Sequence, residues 1–531
     1  MPRALTLQDR NRAAKTWGCC DRDFWNYRTL RDAPSATFQQ LMLPQAIAFN
    51  ALPGTPYAGQ AILLQGAVGA LRYWASVQHA TGAFDEWYRN EHSYCATAFT
   101  TYGAAQTALL LQSDLDAEAR ADAERALTRA SEWLSTRFND SVMNQNLAAC
   151  CALLCSSVFL NKDWVRHAFE KRWERTVATQ HDEGWFPEYG GADPGYSTLA
   201  LDLMAILHRN GAELGAAPAK LAQFLAHFVC GGNGLGEPLG SRGTAHALPF
   251  GAEYFAALGD PNARALATLL RDRYRNGCGI DPSTVDDRYF AYFYLPQFAL
   301  AATIDAGDGG ASTASGVDTV LPAAGFRFWH VGDSTVVASI RRHGAFVVHR
   351  VGQDSEAQLG FWAETRSGER WSSCSWSETA AEQQLGHEQR HVVIRGDFSR
   401  VEDSLPLVKW GLVFGGLTRG PLRFPKLAER FQKRLKRRKI EERRERPLSF
   451  ERSLRIDGGQ LEVRDRIERK PGCPALAAIY PVADIDVHSP SARLATSGYV
   501  SAAVDPERAR EHARVLNEHG QVEIVTWVPL H

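Results

Sequence analysis

Residues 181–198, HDEGWFPEYGGADPGYST, place the carboxylates Asp182, Glu183, Glu188 and Asp193 among the rings of Trp185, Tyr189 and Tyr196. Carboxylates and phenols can carry protons in acid–base chemistry. Flat rings stack on sugars or pack the loop that bears them. A pair of carboxylates about 5–9.5 Å apart across a cleft would hydrolyse a glycosidic bond. Asp85 and Glu86 add to the candidates from a second aromatic-acidic connector, TGAFDEWYRNEHSY at 81–94. Gly190-Gly191 and the Asp193-Pro194-Gly195 run read as keeping the backbone of the first stretch out of helix. A loop of this kind presents several functional groups at the rim of a rigid scaffold.

That scaffold reads as helical. Apolar residues recur with helical spacing over 37–50, 58–78, 95–112, 115–137, 144–160 and 162–179. After the central loop they resume at 197–209, 217–229, 243–257 and 260–275. Helical hairpins with functional connectors at one end suggest an α/α toroid or an irregular bundle, without the strict period of a solenoid. The Gly-, Ala- and Ser-rich stretch IDAGDGGASTASGVDT reads as a linker. Beyond it the pattern changes to period two, in segments such as GFRFWHVGDSTVVASIRR and FERSLRIDGGQLEVRDRIER. The expected architecture is multidomain α+β. An incomplete α/α toroid spans 1–303, a linker 304–319 and an antiparallel β-sandwich 320–531. One basic stretch, 426–446, interrupts the sandwich with eleven Lys or Arg against four Glu. It reads as an amphipathic helix, either solvated or docking an acidic polymer or membrane surface.

Composition narrows the classes. A chain of 531 residues with formal charge −1 has more than one core and no general nucleic-acid-binding surface. The ten cysteines show no framework, and Cys150, Cys151 and Cys155 sit in the apolar run AACCALLC, where packing is expected rather than a metal. The opening MPRALTLQDRNRAAKTW lacks an apolar signal core and no run reaches membrane-spanning length. A cytoplasmic location is therefore expected, or a periplasmic or secreted one if the start is misassigned.

Three segments carry a family resemblance. Asn144-Gln145-Asn146 opens the apolar helix NQNLAACCALL, DEGWFPEYGGADPGY joins acidic, aromatic and Gly-Tyr elements, and GEPLGSRGTAHALPFGAEYF at 236–255 falls where a second cleft-lining loop belongs. With the toroid-plus-sandwich order, these resemble the heparinase II/III-like polysaccharide lyases. The resemblance implies β-elimination beside a uronic acid in an acidic polysaccharide or oligosaccharide, of the bacterial exopolysaccharide kind. Asn146 would offset the substrate carboxylate as an amide donor and Arg242 would grip it. Tyr196, the Tyr of the Gly-Tyr pair, would carry the proton. A second carrier would be His349, then His343, both from the sandwich, or His246 from the toroid. Trp185, Glu188, Tyr189, Asn144 and His246 would bind substrate. The family's His-x-His-x-Asp strand is replaced here by HRVGQDSEAQLGF, with His349 its one histidine. No cofactor is required, and no motif supports a structural divalent metal. Two other functions stay open: a glycoside hydrolase on the same scaffold, and a non-catalytic glycan-binding or polysaccharide-biosynthesis-associated protein.

Overall fold

The computed structural model describes all residues except 28–31, 51, 53, 231–234, 236–238, 245–246, 278, 306, 308–315, 352, 354, 379, 381, 385–389, 402–410, 441–446, 483–498, 502–504 and 531. The described chain is helical as far as Ala301. Helices α1 (Pro2–Leu7), α2 (Met42–Asn50) and α3 (Ala61–Ser76) lead into the pair α4 (Tyr94–Leu110) and α5 (Ala117–Ser135). The next pairs are α6 (Met143–Leu160) with α7 (Asp163–Val177), α8 (Pro194–Arg209) with α9 (Ala217–Ala226), and α10 (Phe250–Ala257) with α11 (Pro261–Arg275). The short α12 (Asp287–Tyr289) and α13 (Leu295–Ala301) end this part.

Sequence decides which helix of each pair lies inside. Helix α6 is apolar all round, and every residue from Met143 to Ser157 is buried. Its length and mean hydropathy of 1.4 would suit a membrane span, but 83% of that window is buried in the toroid. Helices α5 and α7 instead bury one stripe and turn charge outward, as amphipathic outer helices do. Inner α4, α6 and α8 pack in succession, each backed by its outer partner. The thiols of Cys150, Cys151 and Cys155 lie in α6 and are pushed up by burial, Cys150 and Cys155 to about 12.

One local expectation is corrected. Pro194 and Gly195 do not hold the chain out of helix; they form the first turn of α8, with Asp193 as its N-cap accepting the Tyr196 N–H at 3.0 Å. An Asp N-cap followed by Pro is a helix start, because proline's missing N–H is one that no helix would satisfy. The helix expected from 243 likewise begins at Phe250.

Among the described residues the C-terminal part is built from three sheets. In the first, β1 (Thr319–Leu321), β2 (Phe326–Val331), β3 (Ser334–Ser339), β4 (Ala345–Arg350) and β5 (Ser355–Gln358) are antiparallel neighbours. The second runs β10-β7-β6-β13, from β6 (Phe361–Thr365), β7 (Arg370–Ser372), β10 (Ser399–Val401) and β13 (Leu476–Pro481). The third runs β15-β12-β11-β9-β8, from β8 (Glu382–Gln384), β9 (His391–Asp397), β11 (Leu448–Asp457), β12 (Gln460–Arg469) and β15 (Gln521–Pro529). Strand β14 (Tyr499–Ser501) departs from the antiparallel pattern by joining β5 in parallel. Gly458 and Gly459, both at positive φ, make the two-residue turn between β11 and β12. Helix α14 (Gly411–Arg419) precedes the basic stretch and α15 (Pro425–Ile440) runs through its described residues, and α16 (Pro506–His519) packs on β13.

Period-two alternation sends the two faces of the first sheet to different cores. Phe326, Phe328, Val337, Ala345 and Val347 join the toroid core, while Trp329, Val336, Val348 and Phe346 pack against β9, β11, β12 and β15. Phe228, just past α9, meets Phe326 and Phe328 edge-on at 4.9 and 5.1 Å. The sheet is thereby bonded to the toroid through a continuous apolar contact.

Candidate functional site

The central loop is fastened from three directions. Glu183 accepts the N–H groups of Ala323 and Ala324 at 2.9 and 2.8 Å, tying the loop to the sandwich. Asp193 caps α8 and also accepts the Arg242 N–H at 2.9 Å, so one carboxylate joins the helix to the loop at 240–244. Arg342, after β3, donates to the Gly240 and Ser241 carbonyls at 3.1 and 3.3 Å. Gly190 and Gly191 allow the sandwich to close in: a Cβ on Gly191 would stand 2.0 Å from the Trp376 ring. Glu183 and Asp193 are thus occupied by backbone donors, and Asp182 is exposed.

These constraints gather Tyr196, Arg242, Tyr189, Glu188 and Asn144. The Arg242 guanidinium lies 4.2 Å over the Tyr189 ring, and its buried Nε has no partner among the described residues. Glu188 is buried and accepts from Asn144 twice, from the backbone N–H at 2.7 Å and from Nδ2 at 2.6 Å. It therefore also caps the start of α6 from across the chain. Burial pushes the Glu188 carboxyl well above its usual range, opposed by those two bonds and by Arg242. Burial likewise pushes the Tyr196 hydroxyl well above 10, with Tyr289 adding to the rise and Arg242 pulling the other way. Tyr189 is pushed up to about 12, again chiefly by burial. Burial works against the Arg242 charge, but the neighbouring Tyr189, Tyr196 and Asp193 outweigh it and raise its value.

The other sequence candidates lie elsewhere. Asn146 is two residues along α6 from Asn144, on another side of the helix. Its Oδ1 accepts from the Tyr94 hydroxyl at 2.7 Å and the Asn139 N–H at 3.1 Å, and its Nδ2 donates to the Asn139 carbonyl at 2.7 Å. Trp185 is buried, stacks on His181 at 4.8 Å and donates to Glu183 at 3.1 Å, so it packs the loop. His349 faces the toroid by its register in β4, yet it stands with Ser355, whose Oγ is 2.8 Å from Nδ1, and near Arg273. Burial, reinforced by Arg273, pushes His349 down to about 3 and keeps it neutral. His343 is buried against the Ser373 carbonyl at 3.0 Å and the Phe450 ring. His246 lies outside the described residues. Among the described residues no three His, Cys, Asp or Glu side chains group as a metal site.

A repeat with no short period organises this face of the toroid. Gln-His-x-x-Gly-x-Phe-x-Glu followed by Trp or Tyr occurs at 78–87 and again at 180–189. The copies fold alike. Gln78 donates to the Gly82 and Ala126 carbonyls at 3.0 and 2.9 Å, and Gln180 to those of Gly184 and Ala217 at 2.8 and 3.0 Å. Gly82 and Gly184 both take positive φ, and a Cβ on either would lie 2.2 or 2.1 Å from a carbonyl of the next outer helix. Phe84 and Phe186 are both buried. The matching residues, 102 positions apart, were the signal that a search for solenoid periods passes over.

No family model and no curated protein matches the chain. Among solved structures, the chain is similar to the chondroitin AC lyase of Streptomyces coelicolor A3 in complex with chondroitin sulphate. The TM-score is 0.52 at 11% identity, over 90% of this chain and 70% of that one. A Paenibacillus xanthan lyase gives a TM-score of 0.49 at 10% identity, over 86% of this chain and 44% of that one. The helical toroid followed by a β-sandwich is therefore the fold that the chain shares with that chondroitin AC lyase.

Proposed function

We propose that this protein is a polysaccharide lyase that cleaves a uronate-containing acidic polysaccharide by β-elimination. One observation carries the reading: Tyr196, in the first turn of α8, sits in the field of a guanidinium, Arg242, that is stacked on Tyr189 and still has an unsatisfied Nε. Elimination needs those two functions together. Arg242 would hold the uronate carboxylate in a charge-assisted, bidentate grip, which makes the neighbouring C–H more acidic. The ionised Tyr196 oxygen takes that proton as the C–O bond to the next sugar breaks. The leaving oxygen takes the proton back from Tyr196, and a C=C bond remains in the uronate ring.

Asn144 fits the amide role better than Asn146, whose amide is occupied inside the toroid. Glu188 fixes Asn144 in place beside the Arg242 loop, to which it is joined again through the bond from Ser241 Oγ to the Glu188 carbonyl. One residue serves for both proton transfers in this cycle, so neither His349 nor His343 is called on.

The test is to incubate wild-type protein and Tyr196→Phe with hyaluronan, chondroitin, alginate, xanthan and other uronate polymers, following the ultraviolet absorbance of the conjugated double bond. A rise with wild type that the variant abolishes is the expected result. New reducing ends without that absorbance would overturn elimination in favour of hydrolysis.

A further inference from the structure

Both copies of the repeated motif end in the same three-part device. In the central loop it is Glu188, Tyr189 and Arg242; in the connector it is Glu86, Trp87 and Arg288. The Arg242 guanidinium stands 4.2 Å over the Tyr189 ring, and that of Arg288 stands 3.5 Å over the Trp87 ring. In each arginine Nε is buried without a partner among the described residues. An uncompensated buried donor is costly, and it recurs here at matching places in two copies.

The devices adjoin one another. Glu86 is close enough to act on Tyr189, and Tyr289, the residue after Arg288, acts on both Tyr196 and Arg242. Their differences are equally specific. Glu188 is bonded to Asn144, whereas Glu86 accepts from Arg288 itself and from Ser93 Oγ at 2.8 Å. Trp87 is 60% exposed, so the indole offers a flat apolar face to solvent beneath a fixed cation. Glu86 orients one edge of Arg288, and a guanidinium has five donors to offer.

We infer that Arg288 and Trp87 form a second recognition position for an acidic sugar, next to the reacting one and without a proton carrier of its own. Arg288 would take the carboxylate and Trp87 the ring face. This deepens the function proposed above and rests on it for the identity of the polymer. It adds that the bound stretch carries acidic groups on more than one sugar.

Sodium glucuronate is the probe, titrated into the full-length protein by calorimetry and by tryptophan fluorescence. Two binding events per chain are expected. Arg242→Gln should remove one, and Arg288→Gln should weaken the other by about tenfold or more, the value of a charged hydrogen bond. Trp87→Phe should remove the fluorescence change tied to the second event, and Arg288→Lys should restore part of the binding. Thermal melts of each variant establish that the fold is kept. A single event that Arg288→Gln leaves unchanged, or no binding by the wild type, would overturn the second position. Two events as expected, without unsaturated product from any polymer, would sink the lyase reading while leaving the second position standing.

Discussion

The connector 78–87 and the loop 180–189 share one backbone design, yet they differ in what their neighbours bring to it. After Trp87 the chain continues through Tyr88, Asn90 and Glu91, which helices α14 and α15 cover. Tyr88 meets Phe414 and Phe431 edge-on, Asn90 donates to the Thr418 carbonyl at 2.8 Å, and Gln432 donates to Glu91 at 3.2 Å. After Tyr189 the chain turns through Gly190-Gly191 directly into the capped start of α8, which delivers Tyr196. On the proposed function, the repeated motif would supply recognition twice and chemistry once, because the proposed proton carrier comes from the helix after the second copy. Helix α15, from the stretch that the sequence marks only as a charge run, serves with α14 as a wall for the connector.

The largest test of that contrast is Tyr196→Phe, which should lower kcat by about 10²–10⁴ with substrate binding kept, in keeping with the loss of a positioned acid–base group. Because burial holds Tyr196 well above 10, kcat/KM of the wild type should climb with pH from about 7 to about 9, approaching tenfold per unit. A profile that is flat or falls over that range would contradict Tyr196 as the base.

Gly82→Ala and Gly184→Ala break the shared design itself. Each forces a Cβ against an outer-helix carbonyl at positive φ. Adding overpacking to the left-handed strain, each should cost about 3 kcal/mol in urea unfolding. A large difference between the two would mean that the copies are alike only in sequence.

Asn144→Ala and Asn146→Ala separate the site from the scaffold. Asn144→Ala should lower kcat with a stability loss of about 1–3 kcal/mol, from the Glu188 oxygen left bare. Asn146→Ala should show up chiefly as destabilisation, since it strips partners from Tyr94 and Asn139.

The last effect concerns the connector alone. Burial, then the charge of Glu86, pushes Glu91 up to about 8. Its folded value exceeds its ordinary 4.5, so the folded state holds the proton more tightly. The stabilisation is full below pH 4.5 and is lost as pH rises through about 8. Urea midpoints should therefore fall over that window, by up to about 1.4 kcal/mol per pH unit from this group, and Glu91→Gln should flatten the dependence. An unchanged slope in the variant would remove Glu91 as the cause.

Much of the scaffold was legible in the residues. Apolar runs at helical spacing marked the helices, and the change from helical period to period two marked the sandwich, because each pattern fits only one way of burying its apolar side. Within the candidate site, the Gly-Tyr pair singled out Tyr196 and the loop around Ser241 singled out Arg242. The Asn pair could not be resolved in the same way. Residues two apart on a helix point in widely different directions, and only the packed toroid shows that Asn144 meets Glu188 while Asn146 turns to Asn139 and Tyr94. His349 was a similar case: period two put it on the toroid-facing side of β4, but only the packing put Arg273 and Ser355 beside it. The motif at 78–87 and 180–189 was fully present in the sequence, hidden by a spacing far longer than a solenoid repeat.

Hydrophobic period and capping chemistry, both local, were thus determined by the sequence itself: the helices, the strands and, against the reading of Asp193-Pro194-Gly195 as a helix breaker, the start of α8. What the tertiary structure alone decided is which side chains converge. Tyr196, Arg242 and Glu188 come from separate elements, as do Trp87 and Arg288, and their meeting depends on how those elements pack at long range rather than on any spacing along the chain.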